Sequence, residues 1–163
     1  MSHADLALTQ WQHEMPGLDL LPMGVVARLG EATRLISRDH LDPFFANHGL
    51  QQGEFDVLAT LRRSGAPYAL GPTQLFETLM ISSGGMTNRL DRLESAGLIA
   101  RAPNPDDRRG VLVSLSPDGL ALINELLPLH LQNEAAALAV LNRNEQESLQ
   151  ALLAKLIDGL DPA

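Results

Sequence analysis

The chain contains no cysteine, only one lysine, and a single tryptophan. Without cysteine there is no disulfide framework, no thiolate metal site and no thiol redox sensor. With eleven arginines beside Lys155, nearly all the positive charge sits on planar guanidinium groups, which suit bidentate contacts and narrow grooves. No apolar run approaches the ~20 residues that span a bilayer. The N-terminus lacks a basic flank followed by an apolar stretch, so no secretion signal and no membrane partner are expected, and a cytoplasmic location follows. His3, His13, His40, His48 and His130 are dispersed, with no nucleophile–base spacing and no glycine loop followed by lysine. No enzyme and no cofactor are expected. His40, Asp42 and His48 are the nearest approach to a metal set, and nothing in their spacing fixes a geometry.

What is present is an acidic protein with a relieved middle. The net charge of −8 is spread unevenly over the 163 residues. Residues 82–111 hold five arginines against four acids, net +1. Residues 1–81 carry −4 and residues 112–163 carry −5. A local basic surface can steer toward phosphate even on an acidic protein. Weak non-specific DNA binding with steep salt dependence is expected.

At this length one domain with a substantial core is expected. Residues 4–14 form a short helix carrying Leu6, Leu8 and Trp11, ended by Pro16-Gly17. Pro22 sits in the first turn of a longer helix to about residue 46, with Met23, Val26, Leu29, Thr33, Ile36 and Phe44 on one stripe. Residues 54–63 are helical with Phe55, Leu58 and Leu61 inward, and a brief helix covers 73–79. Ser82 is read as the cap of a helix that Gly97 closes. Residues 98–102 and 111–116 form a hairpin. Ser116-Pro117 starts a long helix to about residue 140, kinked near Pro128. Asn142 with Glu145 makes a capping box for the last helix.

The order helix, short strand, charged tip, strand reads as a winged helix. Asp106-Asp107-Arg108-Arg109-Gly110 lies on the turn, and an arginine there has the shape and charge to enter a minor groove. On the preceding helix, Leu90 and Leu93 fall within about 40° of Met86, and Gly84, Asn88 and Asp91 fall opposite, flanked by Thr87 and Arg92. That small polar face suits a major groove. Asn88 can pair with adenine, and Arg92 can reach phosphate or guanine. Gly84 and Gly85 permit either close backbone approach to DNA or tight packing on the helix before. Arg89 lies about 60° from the apolar centre, so it needs an anion, either an internal carboxylate such as Asp56 or a small ligand. The apolar stripes of both terminal regions want a partner. They pack on one another or on a second copy, and a two-fold dimer would set two recognition helices roughly 34 Å apart.

Residues 82–93 (SSGGMTNRLDRL), Gly97-Leu98-Ile99, residues 107–115 (DRRGVLVSL) and Asp118-Gly119 together resemble the MarR family of bacterial transcription regulators. Element order agrees from about Pro22 to Leu160. The resemblance implies a winged-helix homodimer that binds double-stranded DNA at a pseudo-palindromic operator and usually represses. It makes Arg109 the minor-groove arginine, Asp107 its orienting partner across the turn, and Arg108 a phosphate contact. Ser82, Ser83, Gly84, Thr87, Asn88 and Arg92 complete the implied DNA-binding set. The N-terminal helix and residues 54–62 (EFDVLATLR) further resemble the urate-responsive subgroup, which implies ligand binding by Trp11, Asp56, Arg89 and Arg101. An indole would stack on a planar heterocycle, two guanidiniums would hold its anionic edge, and the carboxylate would take a ring N–H. Trp11 could equally staple the N-terminus to the core. By periodicity Asp56 lies off the apolar face, as a surface acid does. Other planar anions fit the same chemistry.

The expected fold is mainly α with a small β-hairpin wing: a winged helix-turn-helix plus a helical dimerisation region, in a single domain over 1–163. Residues 49–116 make the DNA-binding lobe; 1–48 and 117–163 make the helical region. The expected function is a ligand-responsive DNA-binding regulator with a small anionic effector, such as urate. The alternative is a winged-helix dimer that binds protein without a small ligand.

Overall fold

Capping residues and prolines set the boundaries of eight α-helices in the computed structural model, which describes residues 1–79, 85–104 and 107–161, with only the backbone at Asp107, Arg108 and Arg109. Ser82, Ser83 and Gly84 lie outside the described residues. Helix α1 (His3–Glu14) begins in a reciprocal cap: Ser2 Oγ accepts from Asp5 N and Asp5 accepts from Ser2 N. Helix α2 (Leu21–Ile36) follows with Pro22 in its first turn. The single long helix expected from residue 22 to 46 is interrupted. A π-helical turn (Ser37–Leu41) separates α2 from α3 (Asp42–Asn47). Pro43 gives the physical reason: it offers no N–H to the ladder and its ring crowds the carbonyl four residues back.

Helix α4 (Gln52–Arg63) is buried nearly all round. It packs against α3, α5 (Pro72–Thr78), α6 (Met86–Ser95), β3 (Asp107–Leu115) and α7 (Pro117–Ala137), so little of it is left to solvent beyond Arg63 and the partly covered Gln52, Ala59 and Arg62. Val57, Leu58 and Leu61 are fully enclosed at the centre of the core, with Leu75, Leu90, Leu93, Val113, Ile123 and Leu126 around them. Asp56 is correspondingly buried, which fits the internal carboxylate and not the alternative of a surface acid. Periodicity alone takes the side opposite the apolar face as wet, and on α4 most of that side is covered.

The sheet has three antiparallel strands in the order β1 (Ala69–Leu70), β3, β2 (Ile99–Asn104). The two-residue β1 has no counterpart in the sequence reading. Val113 pairs with Arg101 and Val111 with Pro103, but the next partner of Asn104 is Asp107. Residues 108–110 are therefore extra on β3, a bulge at the far end of the hairpin. Strand β3 thus begins four residues before the expected start at residue 111.

Ser116 caps α7 through its Oγ, which accepts from Gly119 N at 3.0 Å, and Asn142 with Glu145 caps α8 (Arg143–Leu160) as a capping box. Pro128 lies inside α7, which stays a single helix through it. No residue of α8 is buried. Its apolar side faces that of α2 across a groove of about 780 Å³ lined by Val25, Leu29, Ile36, Leu149, Leu153 and Ile157. No helix among the described residues is long and apolar enough to cross a membrane.

Candidate nucleic-acid interface and effector site

Helix α6 is placed by its two apolar residues. Leu90 and Leu93 are buried against α4, Met86 is half-buried, and Thr87, Asn88, Asp91 and Arg92 face outward. The angular reading of this helix agrees with its position. Its start does not. The helix begins at Met86, and Gly85 holds a left-handed φ of 77°, which ends helical geometry on its N-terminal side. Gly85 is the N-cap of the described helix, and Ser82, expected as its cap, lies outside the described residues. Gly85 serves as the turn into the helix rather than as an interior residue.

Two arginines, each ion-paired, fix this helix to its surroundings. Arg101 on β2 donates through Nε to Glu94 Oε2 (2.9 Å) and through Nη2 to Glu94 Oε2 and Asp91 Oδ1 (2.6 Å each). Its backbone N–H also donates to Glu94 Oε1 at 3.2 Å. The Glu94 hydrogen bonds, then those of Asp91, raise the arginine's pKa further, and the Arg101 guanidinium holds the Glu94 carboxyl below its ordinary value. The strand that leads into the wing is thereby fastened to the exposed side of α6. The second arginine, Arg92, pairs with Glu54 in the first turn of α4, with Nε 2.6 Å from Oε1.

The positions named for an effector are distributed as follows. Asp56 is buried in α4. Arg89 lies over the start of the same helix: a Cβ built on Gly53 would meet Arg89 Nε at 2.4 Å, and Asp56 is one turn beyond Gly53. The absence of a side chain at Gly53 is what lets this arginine into the core, a signal the sequence carried but periodicity does not detect. Both Asp56 and Arg89 have polar or electrostatic partners. Arg101 is held by Asp91 and Glu94. Trp11, on α1, is 44% exposed. Helix α1 is docked on α2 by Glu31, whose carboxylate accepts from His3 N and Ala4 N at 3.0 Å each, and by an Arg28–Asp5 ion pair at 2.6 Å. The backbone N–H groups of Ala4 and His3 hold the Glu31 carboxyl down at a pKa of about 2. Sequence reasoning missed this latch, although the Ser2-to-Asp5 spacing announces the cap it supports.

His40, Asp42 and His48 do not assemble. His48 Nδ1 is 2.8 Å from Phe44 O, Asp42 Oδ1 accepts from Ser37 Oγ, and among the described residues no three His, Asp or Glu side chains could hold a metal ion. The side chains of Asp107, Arg108 and Arg109 lie outside the described structure.

Residues 50–111 match the model of the MarR family. The HTH-type transcriptional regulator PecS of Dickeya dadantii is 45% identical over 147 residues, 90% of this chain and 88% of that protein. Among solved structures, Sco3205, a MarR family transcriptional regulator from Streptomyces coelicolor in complex with DNA, superposes with a TM-score of 0.78 at 25% identity, covering 90% of this chain and 91% of that one. The structure of Bordetella bronchiseptica BpsR, whose DNA binding is regulated by 6-hydroxynicotinic acid, gives a TM-score of 0.73 at 28% identity, covering 86% and 99%. The mainly helical fold, the antiparallel hairpin wing and the winged helix-turn-helix joined to a helical dimerisation region are those of this class. On its fold and on its likeness to PecS over nearly the whole of both chains, the protein belongs to the MarR family of DNA-binding transcription regulators.

Proposed function

We propose that the protein is a homodimeric repressor that binds a pseudo-palindromic operator and is released from it by a small planar anion. The observation that carries the DNA reading is the outward face of α6: Thr87, Asn88, Asp91 and Arg92 are exposed while Leu90 and Leu93 anchor the opposite side. In this reading Asn88 pairs with adenine and Arg92 meets phosphate or guanine. Ser82, Ser83 and Gly84 approach the backbone at the start of the helix. Arg109 enters the minor groove from the wing, oriented by Asp107, and Arg108 takes a phosphate. Asp91 would repel DNA as a free carboxylate, and its pairing with Arg101 offsets that. The dimer is supported by the apolar groove between α2 and α8 and by Val26, Leu152, Ile157 and Leu160 on the same two helices, all more than half exposed. Residues 1–48 and 117–163 would form the dimerisation region and 49–116 the DNA-binding lobe.

For the effector, the same reading assigns Trp11, Asp56, Arg89 and Arg101. Support comes from the burial of Asp56, from the seating of Arg89 on Gly53, and from BpsR, where a planar heterocyclic acid regulates DNA binding. Urate is the first ligand to test. An anion that recruits Arg101 must take it from Asp91 and Glu94, which would unfasten the wing strand from α6. That is a direct route from ligand to DNA release.

The test has two arms. Operator selection from random DNA should return an inverted repeat, and Arg109→Ala should bind it at least tenfold more weakly, on the order of 1–3 kcal/mol. Titration of Trp11 fluorescence with urate, xanthine and planar carboxylates should show saturable quenching by one of them that is lost in Arg101→Ala. An unselective DNA pool would refute the operator reading. No quenching by any of these compounds would refute the effector site.

A further inference from the structure

We infer that Glu54 is a positioning residue for DNA recognition: it holds the Nε edge of Arg92 from inside the core so that the far end of the guanidinium meets a DNA phosphate. The inference rests on reading α6 as the DNA-facing helix.

The two partners sit in opposite environments. Glu54 is 2% exposed, whereas the Arg92 side chain is 58% exposed. Glu54 belongs to the first turn of α4, and its Oε2 accepts from Gln51 N at 2.8 Å. That bond and the surrounding core prevent the carboxylate from following the arginine outward. Its Oε1 lies 2.6 Å from Arg92 Nε in an ion pair, and among the described residues it accepts no directed hydrogen bond. The contact sits in a small notch lined by His48, Gly49, Leu50, Arg92, Leu93 and Leu122. A buried carboxylate held this way is costly unless the pairing persists.

A guanidinium can serve two anions at once on separate, rigidly related edges. Its Nε edge can face Glu54 while its two terminal nitrogens stay available to a phosphate oxygen. A lysine at 92 would have one nitrogen to share between the two anions, with no rigid fork to be held at one edge and presented at the other. Fixing the side chain before DNA arrives removes part of the ordering cost that a long flexible cation otherwise carries into binding. Glu54 is thus the fixed point and Arg92 the arm, and the arm lies on the same exposed face as Asn88.

The sign of one substitution separates this from a simpler electrostatic role. If Glu54 merely competed with phosphate for Arg92, or only added negative charge near DNA, Glu54→Gln would tighten operator binding. If Glu54 positions Arg92, the same change weakens it. Operator affinity of the full-length protein is measured by anisotropy on the selected duplex at several salt concentrations, with thermal melting recorded for each variant. Arg92→Ala is expected to lose about tenfold in affinity and to lower the salt slope by about one. Glu54→Gln is expected to lose roughly three- to tenfold in the native background. In the Arg92→Ala and Arg92→Lys backgrounds it should lose nothing further. Equal losses from Glu54→Gln with and without Arg92 would overturn the inference in favour of a purely structural role. Unchanged or tighter binding by Glu54→Gln, with Arg92→Ala still weak, would overturn it alone. Full affinity in Arg92→Ala would overturn the interface reading as well.

Discussion

Substituting Gly53 by alanine moves Arg89 without deleting it, which makes it a sharp probe of the proposed effector site. A Cβ at position 53 would sit 2.4 Å from Arg89 Nε, 2.7 Å from Cζ and 3.0 Å from Cδ. Ordinary van der Waals contact begins near 3.4 Å, so the guanidinium must retreat by about 1 Å or leave its seat. Alanine improves helix propensity by up to ~1 kcal/mol, less so in a first turn. Disturbing the interactions of a half-buried arginine costs ~1.5–3 kcal/mol per charged hydrogen bond. The net destabilisation is on the order of 1–2 kcal/mol, and the melting midpoint falls by roughly 2–8 °C in a protein of this size. Effector affinity should fall by about ten- to a hundredfold, the equivalent of one charged hydrogen bond. Operator affinity should stay within about twofold, since Arg89 points away from the outward set of α6. Tryptophan quenching and anisotropy on the same sample read both quantities. Unchanged effector affinity would show that Arg89 does not bind ligand from its seat on Gly53. A parallel loss of operator affinity would show that Arg89 supports the recognition helix instead.

Further outcomes follow from other close contacts. In Gly119→Ala the new Cβ would lie 1.9 Å from Leu98 O, a backbone atom that cannot step aside, so stability should fall by about 2–3 kcal/mol in urea titration; a neutral result would mean that α7 is free to slide away from the wing. The docking of α1 should be acid-labile. The Glu31 carboxyl is depressed from 4.5 to about 2, so its contribution is complete above about pH 4.5 and is lost as the pH falls toward 2. Limited proteolysis of α1 across that window should show release in the native protein, and Glu31→Gln should be released already at neutral pH.

What was legible in the sequence was local. Ser116 before Pro117 and Asn142 three residues before Glu145 act as caps because a cap is decided within one turn. The two faces of α6 follow from Leu90 and Leu93 alone, since a short helix with one buried side obeys its own period. The misses share a different cause. Asp56 is buried because four other helices and a strand surround α4, and no feature of residues 52–63 records how many neighbours they will have. The pairing of Arg101 with Asp91 and Glu94 joins a strand to a helix, so helical and strand periods are both silent about it. The left-handed turn at Gly85 was written in the glycine pair but read as a helix interior, because propensity scores the cost of a glycine without saying what the backbone does there.

That same arginine clamp sets the terms on which an effector can act. The Arg101 side chain donates three hydrogen bonds to Glu94 and Asp91. In the proposed mechanism a ligand that needs Arg101 competes with two carboxylates, and operator binding keeps the contacts that ligand binding gives up. Glu94→Gln removes the stronger competitor. Its expected effects are therefore opposite in sign: effector affinity rises and operator affinity falls. The clamp is exposed and so is modest in strength, and each change should be about fivefold or less. Linkage requires the two shifts to be coupled through one equilibrium between fastened and unfastened wing strands. Asp91→Asn should produce the same pair of shifts, smaller in size. Isothermal titration with the effector and anisotropy with the operator measure them independently. If Glu94→Gln weakens both ligands, the pair is merely holding the fold. If only operator affinity changes, Arg101 belongs to the wing and not to the effector site.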